Sequence, residues 1–124
     1  MPIRVDAPVL SEAVGTPPKR IAEHVGRVRT GDEAVSVAQM SSPAGWSEPG
    51  QRPEFREITL VLRGALHVDF RTPAGALATL VVAAGQSVIT EPGEWVRYRT
   101  PEGADYVAVC LPAFSPSTVH RDAT

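Results

Sequence analysis

The sequence predicts an all-β protein, a small antiparallel barrel or sandwich made of one domain. Three observations support this prediction. The 124 residues are enough for one hydrophobic core but not for two. From Val25 onward, short segments that alternate between apolar and polar residues, or are rich in aliphatic ones, follow one another. Glycines and prolines separate these segments at short intervals and leave almost no room for a helix.

Each predicted strand is bounded by turn residues. The predicted strands are residues 34–40, 58–62, 65–70, 77–82, 87–90, 95–100 and 106–111. Gly64 stands between two of them, so we predict a hairpin that turns at this glycine. The later turns are predicted at Gly85, at Pro92-Gly93 and at the segment 101–103, where glycine and proline recur.

The two ends of the chain are predicted to lie outside the barrel. We assign residues 1–33 to an N-terminal arm and first strand, residues 34–112 to the barrel, and residues 113–124 to a C-terminal tail. The arm is rich in proline. Ser11 is expected to begin one helical turn at most, because the prolines prevent a longer helix.

The charge pattern argues against a nucleic-acid partner. The net charge is -2, whereas nucleic-acid binders usually carry a clustered basic excess. Arg97 and Arg99 recur on one segment with Tyr98 between them. Glu94 and Glu102 lie close to this pair in the sequence. We therefore interpret the two arginines as the solvated face of a strand and expect no nucleic-acid partner.

The chain carries no signal for a membrane or for an oxidising compartment. No segment approaches the ~20 apolar residues of a membrane span, and no apolar run of signal-peptide length occurs early in the chain. Cys110 is the only cysteine, so no intramolecular disulfide is possible. We expect a cytoplasmic protein without a membrane partner.

The segment 45–64 is similar to the first sequence motif of the cupin superfamily. That motif reads Gly, five residues, His, one residue, His, three or four residues, Glu, six residues, Gly. This chain has Gly45, Gln51, Pro53, Glu57 and Gly64 at those places. Both glycines and the glutamate are present, and both histidines are replaced.

A second segment resembles the second cupin motif, which carries Gly, Pro, Gly, His and Asn. The corresponding residues here are Gly85, Glu91, Gly93, Val96 and Thr100, with the proline one step later at position 92. The resemblance covers residues 34–112 and implies a single-domain cupin β-barrel, two antiparallel sheets in a jelly-roll arrangement, with an N-terminal arm. A looser likeness connects the chain to acidic cupins of the ethanolamine-utilisation type.

The metal ligands implied by this resemblance are mostly absent. Only Glu57 keeps its ligand type, while Pro53 and Val96 have no donor atom. One carboxylate and the Gln51 amide are too few donors for a first-row metal. We therefore expect no cofactor and no metal. If a metal is bound, we expect its ligands to be the residues Glu57, Gln51, Glu54 and His120.

Glu57 and Tyr98 are the candidate catalytic residues. Glu57 shares a strand face with Thr59 and Val61, and in a cupin that face lines the lumen. A carboxylate there loses water, which raises its pKa and suits it to acid–base catalysis. Tyr98 lies two residues after Val96 and therefore on the same inward face. The alternative is that both residues have structural roles only.

Five further residues are candidates for substrate binding: Glu48, Gln51, Glu54, Trp95 and Val96. The first three occur at three-residue intervals before Glu57, where they can present polar groups at the barrel mouth. Trp95 can form an edge of the pocket, and Val96 makes the pocket more apolar. A solvated acidic loop is the alternative for Glu48 and Glu54, and a core position is the alternative for Trp95.

These residues lead us to expect a metal-independent enzyme that acts on a small organic molecule by acid–base catalysis. An isomerase, cyclase, lyase or dehydratase would use such a set of groups. Two alternatives stay open: a non-catalytic cupin that binds a small ligand, and a divergent metal-dependent, dioxygenase-like cupin with carboxylate ligands. The remaining expected partner is a second copy of the chain in a homodimer, because open barrels leave edge strands and an apolar face.

Overall fold

The computed structural model describes residues 1–13 and 15–123. Val14, in the predicted arm, and Thr124, at the end of the predicted tail, lie outside the described residues. The described part is all-β, as predicted. Its strands are β1 (Val9–Ala13), β2 (Lys19–Val25), β3 (Ser36–Ser42), β4 (Trp46–Ser47), β5 (Arg56–Arg71), β6 (Leu77–Ala83), β7 (Ser87–Thr90), β8 (Val96–Thr100) and β9 (Ala104–Leu111).

The strands form two antiparallel sheets that share β5. Sheet A has the order β1-β2-β3-β9-β5-β7, and sheet B has the order β4-β8-β5-β6. The first half of β5 pairs with β9 and β7 in sheet A. Its second half pairs with β6 and β8 in sheet B. The two sheets therefore curl around one lumen, and the predicted double-sheet jelly roll is confirmed.

The predicted hairpin at Gly64 was wrong. Strand β5 runs through this glycine without reversing, over 16 residues. Gly64 has a φ of 75°, and a Cβ atom there would overlap the carbonyl oxygen of Gly103. The register also shifts between Val61 and Arg63. The glycine and the irregular register let one strand bend from sheet A into sheet B. A glycine between two strand-like segments predicts such a bend and a hairpin equally well.

The arm also contributes strands. Strand β1 pairs with β2, and β2 pairs with β3 of sheet A. The helical turn expected at Ser11 was wrong, because this residue pairs with Ile21 in an antiparallel ladder. The division of the chain at residues 33 and 112 stays a prediction. Within the described ranges, no helix is long and apolar enough to cross a membrane.

Two apolar clusters hold the sheets together. The larger one fills the space between the sheets and contains Trp46, Val61, Leu66, Val68, Val82, Val88, Val96, Tyr98, Ala104 and Tyr106. The smaller one contains Phe55, Cys110 and Val119, with Phe114 packed against it. The rings of Phe55 and Phe114 meet edge to face at a centroid distance of 5.8 Å, so the C-terminal segment is anchored to the barrel.

Candidate functional site

A cavity of about 310 Å³ lies in the lumen, and we call it the lumen cavity. Its polar lining includes Lys19, Glu48, Gln51, Glu57, Tyr98 and Arg121. Its apolar lining includes Ile21, Ala38, Met40, Leu66, Ala108 and Phe114. The inward-facing residues of β2, β5 and β8 reach this cavity because alternate residues of a strand point to the same side. The arrangement of a few polar groups in apolar walls is typical of a ligand pocket.

Lys19 is the most unusual polar residue of the lumen cavity. Its side chain is only 7% exposed, and its ammonium nitrogen lies 3.9 Å from Oε2 of Glu48. The same nitrogen lies 4.4 Å from the centroid of the Trp46 ring. Burial on its own lowers the pKa of Lys19, but the electrostatic effects of Glu48 and, to a smaller extent, Tyr106 and Glu57 outweigh burial and raise it. Lys19 is therefore a fixed positive charge inside the barrel.

Glu57 faces the same cavity. Burial raises the pKa of its carboxyl group, although the positive charge of Lys19 acts in the opposite direction. Oε1 accepts a weak hydrogen bond from Sγ of Cys110 at 3.5 Å, and Oε2 accepts one from Thr59 at 3.3 Å. These partners are poor substitutes for water. Glu57 thus keeps the capacity to accept a hydrogen bond from a ligand or to exchange a proton with one.

The phenol of Tyr98 lies close to this carboxylate. Tyr98 is 4% exposed, and its hydroxyl group lies 3.2 Å from Oγ1 of Thr90. Burial, followed by the negative charge of Glu57, raises the pKa of the phenol well above its ordinary value. The hydroxyl group is therefore neutral at physiological pH and can donate one hydrogen bond.

The C-terminal segment completes the polar lining. One guanidinium nitrogen of Arg121 donates to Oε1 of Gln51 at 2.9 Å and to Oε2 of Glu48 at 3.0 Å. Gln51 also pairs through its backbone with Val96 of β8. Glu48 is consequently shared between two cations, Lys19 and Arg121. This charge balance explains how a carboxylate that is only 2% exposed is retained inside the fold.

The structure brings Glu48, Gln51, Glu57 and Tyr98 together, as the sequence suggested, and leaves three predicted residues elsewhere. Glu54 is exposed and lies outside the lumen cavity, where its Oε2 is 2.5 Å from Nε2 of His120. Val96 is buried in the main core and does not line the lumen cavity. Trp95 lies on the outside of sheet B, where its indole nitrogen donates to Asp122 at 2.9 Å. The functional roles of all these residues stay predictions.

Two residues of the site were missed from the sequence. Lys19 directly follows two prolines, which we took as part of an irregular arm. Arg121 lies in the segment that we interpreted as a tail. No alternation of apolar and polar residues marks Lys19, because the inward-facing Lys19 and Glu23 are as polar as their sequence neighbours. For Arg121 no local pattern pointed inward, because its position depends on contacts with residues about 70 positions earlier.

The residues present do not fit the metal that a cupin motif implies. The side-chain oxygen of Gln51 already accepts a hydrogen bond from Arg121. Glu54 and His120 lie outside the lumen cavity. Within the part of the chain that the structure describes, no group of three or more His, Cys, Asp or Glu side chains converges on a possible metal position. The donor set proposed for the alternative metal site is therefore not assembled.

A second polar cluster lies on the outer side of sheet B, and we call it the basic–aromatic face. It consists of Arg71, Trp95, Arg97 and Arg99. The guanidinium carbons of Arg71 and Arg97 lie 5.3 Å and 5.9 Å from the Trp95 ring. These distances are within the range of cation–π attraction. The three cations come from β5 and β8, which are adjacent in sheet B.

Asp69 holds two of these arginines in place. Its carboxylate is 1% exposed and accepts hydrogen bonds from Arg97 at 2.9 Å, Arg99 at 3.0 Å and Thr79 at 2.6 Å. Burial alone would raise its pKa, but the bonds from Arg99, Thr79 and Arg97 outweigh burial and lower it to about 2. The negative charge lies beneath the guanidinium groups, so the accessible side of the cluster is positive.

Comparison with solved structures shows the fold. No protein-family model matches the chain. An oxalate decarboxylase structure from Bacillus subtilis superposes with a TM-score of 0.74 at 17% identity, over 96% of this chain and 31% of that one. A Salmonella typhimurium LT2 structure named for ethanolamine utilization protein Q gives a TM-score of 0.66 at 18% identity, over 86% of this chain and 97% of that one. The chain has the cupin fold.

A curated protein with higher sequence identity is named as an endoribonuclease, unlike the two solved structures. Endoribonuclease YbeY of Myxococcus xanthus (strain DK1622) is 42% identical over 106 residues. The match covers 84% of this chain but 34% of that protein. The chain therefore spans about a third of the length of this curated relative, and about two thirds of the relative lies outside the match.

This match contradicts the function expected from the sequence. We expected acid–base catalysis on a small organic molecule, with a ligand-binding cupin or a metal-dependent cupin as alternatives, whereas the relative is named as an endoribonuclease. The lumen residues misled the expectation because buried ion-pair networks with a purely structural role also shift pKa values. The small-molecule partner, the homodimer and the cytoplasmic location are not tested by these matches and stay predictions.

Proposed function

We propose that this chain is an RNA-binding module that acts together with an endoribonuclease and does not cut RNA itself. The identity to a third of Endoribonuclease YbeY supports the link to RNA processing. Because most of that relative lies outside the match, it has room for a separate cleaving part. This module would then bind the RNA, and the separate part would cut it.

The shape of the lumen cavity argues against strand cleavage by this chain. An endonuclease must bind an internal phosphodiester, whose strand continues on both sides. A cavity of about 310 Å³ is at the small end of ligand pockets, and the buried carboxylate Glu57 lies inside it. On the outer surface, Asp69 is ionised at all physiological pH values and bonded to two arginines. A group with a pKa of about 2 is a poor general base at neutral pH.

The basic–aromatic face is the observation that carries the RNA contact. Proteins that bind single strands without strong sequence preference combine cations that follow the phosphates with aromatic side chains for the bases. Arg97 and Arg99 are 38% and 32% exposed and are oriented by Asp69. Each guanidinium group has five N–H donors, of which Asp69 accepts only some. The remaining N–H groups would be free to donate to phosphate oxygens.

The net charge of the whole chain is a weak guide to this face. The value of -2 led us to expect no nucleic-acid partner, and Arg97 and Arg99 were interpreted as a solvated strand face. Both expectations used only the net charge and the order of charged residues in the sequence. They did not include the burial of Asp69 beneath the two arginines or the proximity of Arg71 from the neighbouring strand. For this surface we propose an RNA contact in place of a solvated strand face.

The proposal is tested by RNA binding with a matched pair of variants. We would measure fluorescence anisotropy of a labelled single-stranded 12-nucleotide RNA at low salt. Arg71→Gln removes a cation next to Trp95 and leaves the Asp69 pairs intact. Arg20→Gln removes an exposed arginine from β2 in sheet A and is the control. We expect wild type and Arg20→Gln to bind alike, and Arg71→Gln to bind several-fold more weakly.

Two results would contradict the proposal. Wild-type protein that fails to bind RNA at low salt would remove the RNA contact. Equal weakening by Arg20→Gln and Arg71→Gln would remove the assignment to the basic–aromatic face. The same samples, incubated with the RNA and separated on a denaturing gel, should show intact strands. Cleavage of the RNA that persists in preparations free of contaminating nucleases would show that this chain cuts RNA by itself. That result would contradict the division between the module and the cleaving part.

A further inference from the structure

Trp95 is the aromatic side chain of the basic–aromatic face, and its surroundings are already filled. Its indole nitrogen donates to Asp122, and the guanidinium groups of Arg71 and Arg97 lie near the ring. The backbone of Gly50 also packs against it, so closely that an added Cβ atom would overlap the ring. Trp95 therefore holds two cations in place, and the bases of a bound strand need a further surface.

Strand β6 brings such a surface next to the cations. Three outward-facing residues of β5 lie opposite three residues of β6, namely Arg71 opposite Leu77, Asp69 opposite Thr79, and His67 opposite Val81. The hydrogen bond from Thr79 to Asp69 shows that both columns of residues face the same side of sheet B. Neighbouring strands of a sheet are about 4.8 Å apart, so Leu77 and Val81 lie directly beside the cationic residues.

The β6 side of this surface is apolar and accessible. Leu77 and Val81 are 50% and 52% exposed, although the water-facing side of an antiparallel sheet normally carries polar residues. His67 lies in one row between Val81 of β6 and Arg99 of β8. In the described ranges β6 pairs only with β5, so a ligand can extend past this edge. We call His67, Leu77 and Val81 the sheet B margin.

The sheet B margin and the arginines of β8 form two columns with β5 between them. Arg97 and Arg99 are two strand spacings, about 10 Å, from the β6 residues. A single RNA strand has its phosphates along one side and its bases along the other, and proteins that bind it combine cations with side chains that contact the base faces. Histidine rings are among the side chains on which unpaired bases stack.

A duplex could use only one of these two columns. Its phosphates lie on the outside and would reach the arginines, whereas its bases are paired and stacked against one another in the interior. The arginines supply an attraction that depends on salt and not on base identity or pairing. Contact with the sheet B margin requires base faces that are free.

We infer that the sheet B margin contacts unpaired bases and makes this chain prefer single-stranded RNA to a duplex. This inference rests on the proposed function, because the arginines must hold the phosphates while the margin contacts the bases. It assigns a role to His67, Leu77 and Val81, none of which belongs to the basic–aromatic face.

Fluorescence anisotropy with two forms of one RNA tests the inference. The labelled strand is measured alone and after annealing to its complement. Exchange of both Leu77→Ser and Val81→Ser removes the aliphatic groups of the margin without changing the charge. The control exchanges Leu60→Ser and Ile89→Ser on the outer side of sheet A, where these residues are 41% and 53% exposed. Circular dichroism and thermal melting confirm that the variants fold.

We expect wild type and the sheet A control to bind the single strand about tenfold more tightly than the duplex. The margin variant should lose most of this preference through weaker binding of the single strand, with duplex binding unchanged. If that variant does not fold, Leu77→Thr with Val81→Thr keeps β-branched residues that suit a strand and gives the same test.

Two results would overturn the inference and leave the proposed function in place. They are equal binding of both RNA forms by wild type, and an unchanged preference in a folded margin variant. In either case, weaker binding by Arg71→Gln would still support the phosphate contact. Failure of wild type to bind either form would remove the proposed function and this inference together.

Discussion

Nζ of Lys19 lies 3.9 Å from Oε2 of Glu48, and both side chains are almost completely shielded from solvent. Two such groups are expensive to bury, and each is retained because the other compensates its charge. Lys19 belongs to β2, whereas Glu48 follows β4 of the opposite sheet. The ion pair therefore links sheet A to sheet B across the lumen cavity.

Glu48→Gln should destabilise the protein strongly. The amide leaves the ammonium group of Lys19 buried beside a weaker partner, and breaking a buried pair in this way costs about 3 kcal/mol. Urea unfolding at pH 7 measures the change. Asp6→Asn is the control, since Asp6 pairs with Arg4 in a contact that is 74% and 88% exposed. Equal stability of the two variants would show that the buried pair has no special role.

Glu57→Gln should stabilise the protein at high pH. The folded-state pKa of Glu57 is raised by burial, so ionisation favours the unfolded chain and stability falls as pH rises through that pKa. The neutral amide avoids this loss. We expect Glu57→Gln to have the higher urea midpoint at pH 8 and no advantage at pH 4. The exposed exchange Glu102→Gln should show neither effect, and a lower midpoint for Glu57→Gln at pH 8 would refute the desolvation argument.

Asp69→Asn should reduce the sensitivity of the fold to acid. The folded-state pKa of about 2 lies below the ordinary value of 3.8. Ionised Asp69 therefore stabilises the fold above about pH 4, and this stabilisation fades as the pH falls toward 2. It amounts to about 2 kcal/mol. Between pH 5 and pH 2, wild type should lose that much more stability than Asp69→Asn in urea titrations. Parallel losses in both proteins would contradict the assignment.

Gly64→Ala should destabilise the protein far more than Gly75→Ala. Both glycines have a positive φ, 75° and 84°. At Gly75, no atom lies within 4 Å of an added Cβ, whereas at Gly64 the carbonyl oxygen of Gly103 is in the way. The left-handed backbone alone costs an alanine about 1 kcal/mol, and the overlap should bring the cost at Gly64 to about 3 kcal/mol. Similar melting temperatures would mean that the bend of β5 tolerates a side chain.

Local sequence patterns predicted the strands well and the long-range placements poorly. The alternation of Glu57, Thr59 and Val61 correctly placed these residues on the inner face, and the same rule placed Tyr98. These inferences need only the two-residue period of a strand. The bend at Gly64 was missed because a positive-φ glycine serves a bend and a hairpin equally well.

In the lumen cavity, Glu57 of β5 and Tyr98 of β8 could be predicted from the sequence. Lys19 and Arg121, which lie near the two ends of the chain, could not. Lys19 reaches the lumen because β2 pairs with β3, which depends on contacts between segments far apart in the sequence. Arg121 reaches it because the C-terminal segment returns to Gln51 through backbone pairing. Neither contact leaves a local periodic signal. The basic–aromatic face was missed for the same reason, since Arg71 and Arg97 meet only in sheet B.

The salt dependence of RNA binding tests the central claim most directly. We would measure the affinity of wild-type protein for a single-stranded RNA at several salt concentrations. Contacts from Arg71, Arg97 and Arg99 to phosphates should give a slope of log affinity against log salt of about −2. Arg71→Gln should reduce the magnitude of that slope by about 0.7. An affinity that does not change with salt, or no binding at the lowest salt, would contradict the account of this chain as an RNA-binding module.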